Sequence, residues 1–490
     1  MQREAKAARC GDGMELVILL PALACVVVMA MGSTRSALIN VYLPAVLLLP
    51  QSFQLRFEHL PPLTFADTAI LPLGVALIFM EMRHWRFDWM DLLVVLFAVS
   101  EAVSEGMSTP LANGTWVRIF TSPAETLQVN GDNGIFQFAA GITMIIFPYM
   151  VGKLLIEERK YNGEPVRVAL IRRMVTLLAM VAVISVFDFF TGKSTWQEVF
   201  KHFFPGQAWW AWPTQIRWGF GRIIGPFAHA ILAGMVFLMG LVYCIWLRTF
   251  VPQWGTRRIV KELRLTVRGA VMWAIVGGLL MTQSRGPWLG VILALLFVFL
   301  MGKFPVAKAA AAFILLAAVI LSAGYYFGNK YTSVELDQAK TEEQRSAIYR
   351  RDLVHNYMPV VMERKAFGWG ITTFPTMEGQ KSIDNQYLML AVTQGLVGLG
   401  LFVAILAGWG IRLLRLAARP MPAEDQGMVF AHLAVLIGLT TAIATVYLGE
   451  QPQLLFFLIV GWVHGMNPVR VAASAKAETA PPFEFRRVLT

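Results

Sequence analysis

The chain has 490 residues, 57% of them hydrophobic and only 15% charged, with a mean hydropathy of +0.58. A soluble protein carries about 25% charged residues, so these figures exclude a soluble or secreted enzyme. The net charge of +11 is no nucleic-acid footprint, because much of the excess sits in short loops between apolar blocks, and no nucleic-acid partner is expected.

Taken in chain order, Arg3, Lys6 and Arg9 precede the apolar block 14–32. No small-residue cleavage site is obvious and many further spans follow, so the block reads as an uncleaved first helix. Residues 36–50 are short and interrupted by Pro44, so the N-terminal part is either two spans or a re-entrant pair. Blocks 134–155, 168–189 and 226–247 are each about long enough to cross a hydrocarbon core of ~30 Å. Inside lipid the backbone must satisfy its own hydrogen bonds, so such blocks are helices. Later spans begin near Arg268, Trp288, Pro305, Asn385, Gly427 and Pro452. The fold expected is therefore all-α integral membrane, with about 12–13 transmembrane helices in one domain over 1–466, followed by a cytoplasmic tail, 467–490. No internal repeat is visible. Cys10, Cys25 and Cys244 form neither a disulfide framework nor a metal spacing.

Loop charge orients the chain. Loops 152–173, 248–268 and 412–419 are basic, and Lys303 and Lys308 mark a shorter basic turn. If these face the cytoplasm, then 105–133, 191–225, 284–287 and 328–384 face outward. The last is the largest soluble element. Its stretch 334–363 is charged and nearly free of glycine and proline, which predicts one or two amphipathic helices on the membrane face. Gly368, Gly370 and Pro375 then interrupt the helix. Loops longer than ~15 residues are usually functional, so this segment is expected to cover a site.

Four constellations carry possible chemistry. Thr282 to Gly290 is a polar turn between two apolar blocks. Its Arg285 either snorkels to headgroups or holds an anionic partner at the membrane surface, while Ser284 and Gly286 permit a tight break. Arg217 to His229 contains two arginines, three glycines and a proline at the mouth of the next span. It reads either as a basic interfacial loop, with Trp209, Trp210, Trp212 and Trp218 as an aromatic belt, or as a phosphate cradle. His229 reads first as a packing or hydrogen-bonded histidine. Third come Gly368-Trp369-Gly370, Ser382-Ile383-Asp384-Asn385-Gln386-Tyr387 and Gln394-Gly395-Leu396-Val397-Gly398. Asp384 is either a helix N-cap or a general base. Arg345, Arg350, Arg351 and His355 make up the fourth group, mostly solvated, one of which joins the site. No Walker loop, dinucleotide fold or metal-binding carboxylate pair is present, so neither a cofactor nor a metal is expected.

In order, Arg222-Ile223-Ile224-Gly225-Pro226-Phe227, Ser284-Arg285-Gly286, Gly368-Trp369-Gly370, Asp384-Asn385-Gln386-Tyr387-Leu388 and Gln394-Gly395-Leu396-Val397-Gly398 resemble the motifs of the O-antigen ligase and O-antigen polymerase superfamily. The resemblance runs from about Arg217 to Gly398. It implies a C-type-like glycosyltransferase fold and a metal-independent, inverting glycosyl transfer at the outer face of the bacterial inner membrane, with the active site facing the periplasm. The implied donor is a glycan on undecaprenyl diphosphate. Matched motif to motif, Arg222 and Arg285 bind the diphosphate, joined by Arg217, Ser284, Arg345, Arg350, Trp369, Asn385 and Tyr387 as substrate contacts. Where the family often has a histidine as proposed base, this chain has Asp384. A polymerase joining lipid-linked repeat units is the first reading, and a ligase moving glycan onto lipid A core or protein the second. Membrane lipids and proteins of polysaccharide chain-length control and export are the implied partners. A transporter or flippase is the rival from another class. It calls for midplane charges and an inverted repeat, and neither is apparent.

Overall fold

The computed structural model describes residues 15–57, 60–108, 133–157, 160–204, 214–260, 265–334, 338–375, 377, 380 and 382–466. The expected tail 467–490, the tryptophans Trp209, Trp210 and Trp212, Cys10, Lys261, Arg264 and the first three basic residues lie outside them, as does most of 105–133.

The described chain is almost wholly helical. In order the helices are α1 (Leu20–Met31), α2 (Thr34–Leu48), α3 (Phe65–Met80), α4 (Trp89–Ser108), α5 (Gly134–Leu155), α6 (Val166–Thr191), α7 (Thr195–Phe200), α8 (Ala230–Phe250), α9 (Val267–Met281), α10 (Arg285–Lys303), α11 (Val306–Tyr331), α12 (Glu342–Glu363), α13 (Gln386–Thr393), α14 (Gly395–Ala417), α15 (Ala423–Ile443) and α16 (Glu450–Gly465). The strands are four short antiparallel hairpins in connections. Among the described residues six helices are long and apolar enough to cross a membrane: α5, α6, α8, α10, α14 and α15. Shorter apolar helices of 10–17 residues include α2, α3 and α9. The chain is a multi-pass helical membrane protein.

Three differences from the sequence reading have local causes. The span expected from Asn385 is broken, because Gly395 takes φ +68° and Gln394 ends α13 before α14 begins. The outer segment begins later than residue 328, since α11 continues through Tyr331. Pro44 does not end α2. It is absorbed by a π-helical stretch, Leu38–Tyr42, immediately before it, and Ile142–Ile146 precedes Pro148 in the same way. A proline has no N–H to give the preceding turn, and a widened turn relieves that clash.

Helix α8 is the hub. Nearly all of it is buried, between α6, α9, α10 and α15. Lipid tails are as apolar as leucine, so such helices associate by close packing rather than by hydrophobic transfer. The crossing of α5 and α16 shows this: a Cβ on Gly152 would stand 2.0 Å from the Leu458 carbonyl oxygen, and one on Gly461 2.0 Å from that of Tyr149. Only glycine fits on either side.

Charged side chains collect at the two ends of the bundle. At one end Lys153 pairs with Asp91 at 2.5 Å and Arg167 with Glu424 and Asp425 at 2.7 and 2.6 Å. There Arg412 donates to the Val463, His464 and Met466 carbonyls. Because successive helices alternate in direction, the loops carrying Arg222, Ser284, Asp384 and Glu450 gather at the other end.

Candidate functional site

At that second end the chain enters from a hairpin, Ile216–Arg217 with Phe220–Gly221. It delivers two arginines to the turn between α9 and α10. The Arg217 Nη1 donates to the Gln283 carbonyl at 2.8 Å. Arg222 is buried; its Nε donates to the Thr282 carbonyl at 3.1 Å, its Nη2 to Ser284 Oγ at 2.9 Å and its Nη1 to Gln215 Oε1. The Ile223 N–H donates to the Met281 carbonyl at 3.2 Å. Two constellations that lie 60 residues apart in the sequence are thus one hydrogen-bonded unit.

The turn itself is tight. Gln283 takes φ +49°, a left-handed conformation that costs of order 1 kcal/mol or more in a non-glycine residue. Of the four non-glycine residues with positive φ among the described residues, three (Trp218, Gln283 and Glu450) lie in the loops at this end. A Cβ on Gly286 would stand 2.1 Å from Thr445 Oγ1, so the turn also packs against the segment linking α15 to α16. Arg285 starts α10 directly after Ser284, and its side chain is exposed. Arg285 thus follows directly the serine that holds Arg222, and both arginines stand at the same end of the bundle.

Asp384 stands within electrostatic reach of this unit. Its carboxylate accepts from Ser382 Oγ at 2.6 Å and acts electrostatically on Arg222, His229, Tyr349 and Tyr447. The N-cap alternative for it is corrected: the cap of α13 is Asn385, whose Oδ1 accepts from the Leu388 N–H at 3.1 Å. Burial, then the like charges of Arg217 and Arg350, push the Arg222 guanidinium down to about 10, with Asp384 acting the other way. A buried cation crowded by two others favours an anion beside it.

Helix α12 brings Arg350 and Tyr349 over the site. Arg350 Nη1 donates to Ser346 Oγ at 2.9 Å and its buried Nε has no hydrogen-bond partner. The Tyr349 hydroxyl donates to the Ser382 carbonyl at 2.7 Å. Burial, then the Asp384 charge, raise the Tyr349 phenol above its ordinary range. Arg345 is exposed near the start of α12, as is His355 further along, and Arg351 pairs with Asp352 at 2.6 Å.

The remaining predicted contacts are held by the fold. Trp369 is buried; its Nε1 donates to the Val360 carbonyl at 2.9 Å and Arg364 lies 4.7 Å over its ring. Tyr387 donates its hydroxyl to the Thr440 carbonyl at 3.2 Å. The two glycine motifs of the third constellation form a single backbone seam. The Trp369 and Gly370 N–H groups donate to the Val392 and Thr393 carbonyls at 2.9 and 2.8 Å, and the Leu396 N–H to the Lys365 carbonyl at 2.7 Å. That seam closes the outer segment onto the break at Gln394. His229 caps α8, its Nδ1 accepting from the Ile231 N–H at 3.2 Å.

Sequence reasoning missed Gln215, Tyr349 and Glu450. Glu450 heads an apolar block just as Asp384 does, so the criterion that selected one selects the other. Gln215 and Tyr349 carried no such signal. Among the described residues no group of three or more His, Cys, Asp or Glu side chains is placed to hold a metal ion.

Fold and site together define a multi-pass helical membrane protein with an arginine-rich turn, braced by a second arginine loop and faced by a carboxylate, at one end of the bundle. Residues 270–403 match the family model described as O-antigen ligase. The match spans α9 to the first part of α14 and so takes in Arg285, Arg350 and Asp384, and it bears out the resemblance to the O-antigen ligase and polymerase superfamily. No curated protein matches the chain.

Proposed function

We propose that the chain is a glycosyltransferase that takes its glycan from a polyprenyl diphosphate, here undecaprenyl diphosphate, and that its arginine-rich end faces the periplasm from the bacterial inner membrane. The observation that carries the reading is the bond from Arg222 to Ser284, which ties a buried, crowded cation to the turn that bears Arg285. A diphosphate is the anion such a group of forked donors suits, and a lipid carrier reaches it sideways from the bilayer. The segment from Thr332 to Asp384 serves as the cover of the site.

In the reaction, the acceptor hydroxyl oxygen attacks the anomeric carbon, and the bond from that carbon to the diphosphate oxygen breaks. The electron pair leaves with the diphosphate, whose growing charge Arg222 and Arg285 stabilise. Asp384 takes the hydroxyl proton. In-line attack inverts the anomeric centre. No Lewis acid is invoked in these steps.

The preferred acceptor is another lipid-linked repeat unit, which makes the protein a polymerase of an exopolysaccharide or O-antigen. The ligase reading, with lipid A core or a protein as acceptor, predicts a different intermediate. In a deletion strain, accumulated single lipid-linked repeats support the polymerase, whereas accumulated long lipid-linked chains support the ligase. The test of the site is Arg285→Ala in that strain: the variant reaches the membrane at wild-type level and makes no polymer. Wild-type polymer from it overturns the reading.

A further inference from the structure

A chamber lies at the same end of the bundle as the arginine turn. It is a cavity of about 240 Å³, somewhat below the ~300 Å³ at which small-molecule pockets usually begin, so it has room for one ring rather than a chain. Its walls come from α4, α5, α13, α14 and the start of α16.

The lining is unlike that of a lipid-filled crevice. Two acidic residues, Glu101 and Glu450, line it within the helical bundle, where ionisable side chains are expensive and mark functional sites by default. Carboxamides of Gln137, Gln394 and Gln453 stand among them. Gln394 Nε2 donates to Glu101 Oε1 at 3.1 Å and its Oε1 accepts from Ser100 Oγ at 3.1 Å, which fixes the amide in one orientation. The Glu450 Oε2 atom is buried and has no hydrogen-bond partner, although a group this costly to bury ordinarily finds one. The apolar wall is aromatic: Phe97 lies between Phe402 and Phe457, with ring centroids 5.8 and 6.0 Å away.

The chamber is joined to the site. Gln386, on its wall, follows Asp384 by two residues, and its Oε1 accepts from the Leu448 N–H at 2.6 Å. The Ala228 N–H, from the loop that carries Arg222, reaches the Glu450 carboxylate. Gln451 Nε2 donates to the Pro226 carbonyl at 3.0 Å. Asp384 is near enough to act electrostatically on both Arg222 and Tyr447, another wall residue.

We infer that this chamber is the acceptor subsite and takes a single neutral sugar ring, its hydroxyls on Glu101, Glu450 and the carboxamides and its apolar face on the phenylalanine rings. The assignment rests on the proposed transfer from a lipid diphosphate. The charge division supports it: cations hold the diphosphate, whereas the chamber lining carries no lysine or arginine for a phosphate or a uronic acid, and its carboxyl and carboxamide groups bond hydroxyls. The connectivity supports it too: the base that deprotonates the acceptor hydroxyl stands two residues before Gln386 on the chamber wall and acts on the Arg222 cation.

The test uses the full-length protein with three cavity variants: Glu101→Gln and Glu450→Gln, which keep shape, and Met389→Trp, which fills space. Each is assayed for binding of undecaprenyl diphosphate in nanodiscs and for glycan product in the deletion strain. The inference predicts wild-type diphosphate binding and a product loss of about tenfold or more, the scale of one hydrogen bond to a charged group, with lipid-linked donor accumulating. Wild-type product from all three, while Arg285→Ala makes none, overturns the subsite and leaves the reaction standing. Loss of diphosphate binding in the two glutamine variants also overturns it, because the chamber then only supports the arginine turn. Wild-type product from Arg285→Ala removes the reaction and the subsite together.

Discussion

Arg222 is the residue on which the site is built, and its surroundings make it a poor place for lysine. Its planar fork meets the Thr282 carbonyl, Ser284 and Gln215 at once, which an ammonium cannot reproduce. Burial and two neighbouring arginines already lower the guanidinium to about 10. A lysine starts from a lower ordinary value than an arginine, so the same surroundings bring its titration down toward neutral pH. A depressed base loses its charge as pH rises. Arg222→Lys should therefore retain part of its diphosphate binding at pH 6.5 and lose it between pH 7 and 9, while the wild type stays flat over that range; binding of undecaprenyl diphosphate across the series measures it. Asp384→Asn separates binding from chemistry. It keeps the bond from Ser382 within reach but removes the proton acceptor, so transfer should fall by 10²-fold or more with diphosphate binding unchanged. Equal loss of both in Asp384→Asn contradicts the base assignment.

At the scale of elements, the turn between α9 and α10 matters for what it packs against. Gly286 leaves no space for a side chain beside Thr445. Gly286→Ala should push the linker between α15 and α16 outward and lower transfer about tenfold, by ~1–2 kcal/mol of overpacking. Thr445→Ala removes the obstructing hydroxyl, so the double variant should recover part of that loss, a coupling expected only of residues in contact. Apolar blocks made the helices legible in the sequence, and basic loops divided their ends, because both signals are summed over many residues. The interruption at Gln394 was not legible, since one residue in an otherwise apolar run carries it. Gly368-Trp369-Gly370 stood out as a motif, yet its backbone N–H groups serve the seam with Val392 and Thr393. A motif shows that residues are needed together and leaves open whether substrate or backbone needs them. Matched motifs led to the expectation that Arg222 and Arg285 serve one diphosphate, whereas Gln215 is an ordinary polar residue until the hairpin places it. The acidic chamber escaped notice because Glu101, Gln394 and Glu450 come from three separate regions of the chain.

Across the whole molecule, the two ends divide the labour. The end remote from the arginine turn carries a buried ion pair, Lys153 with Asp91, whose carboxylate also accepts from the Tyr149 hydroxyl at 2.6 Å and from the Asp88 N–H at 2.7 Å. The lysine sits 4.4 Å over the Trp85 ring. Such a pair adds little net stability over an apolar replacement, but removing one partner strands the other charge, at about 3–5 kcal/mol. Lys153→Met should lower the thermal midpoint of the purified protein by several degrees, and Lys153→Met with Asp91→Asn should recover most of it, because no charge is then left behind. Diphosphate binding below the transition should stay at the wild-type level in both, since the pair lies at the far end of α4 and α5 from the turn at Gln283. If Lys153→Met instead weakens binding in folded protein, the two ends are coupled through α4, which runs from Asp91 to Glu101 on the chamber wall. The bundle would then act as one lever rather than as an anchor beneath a separate site.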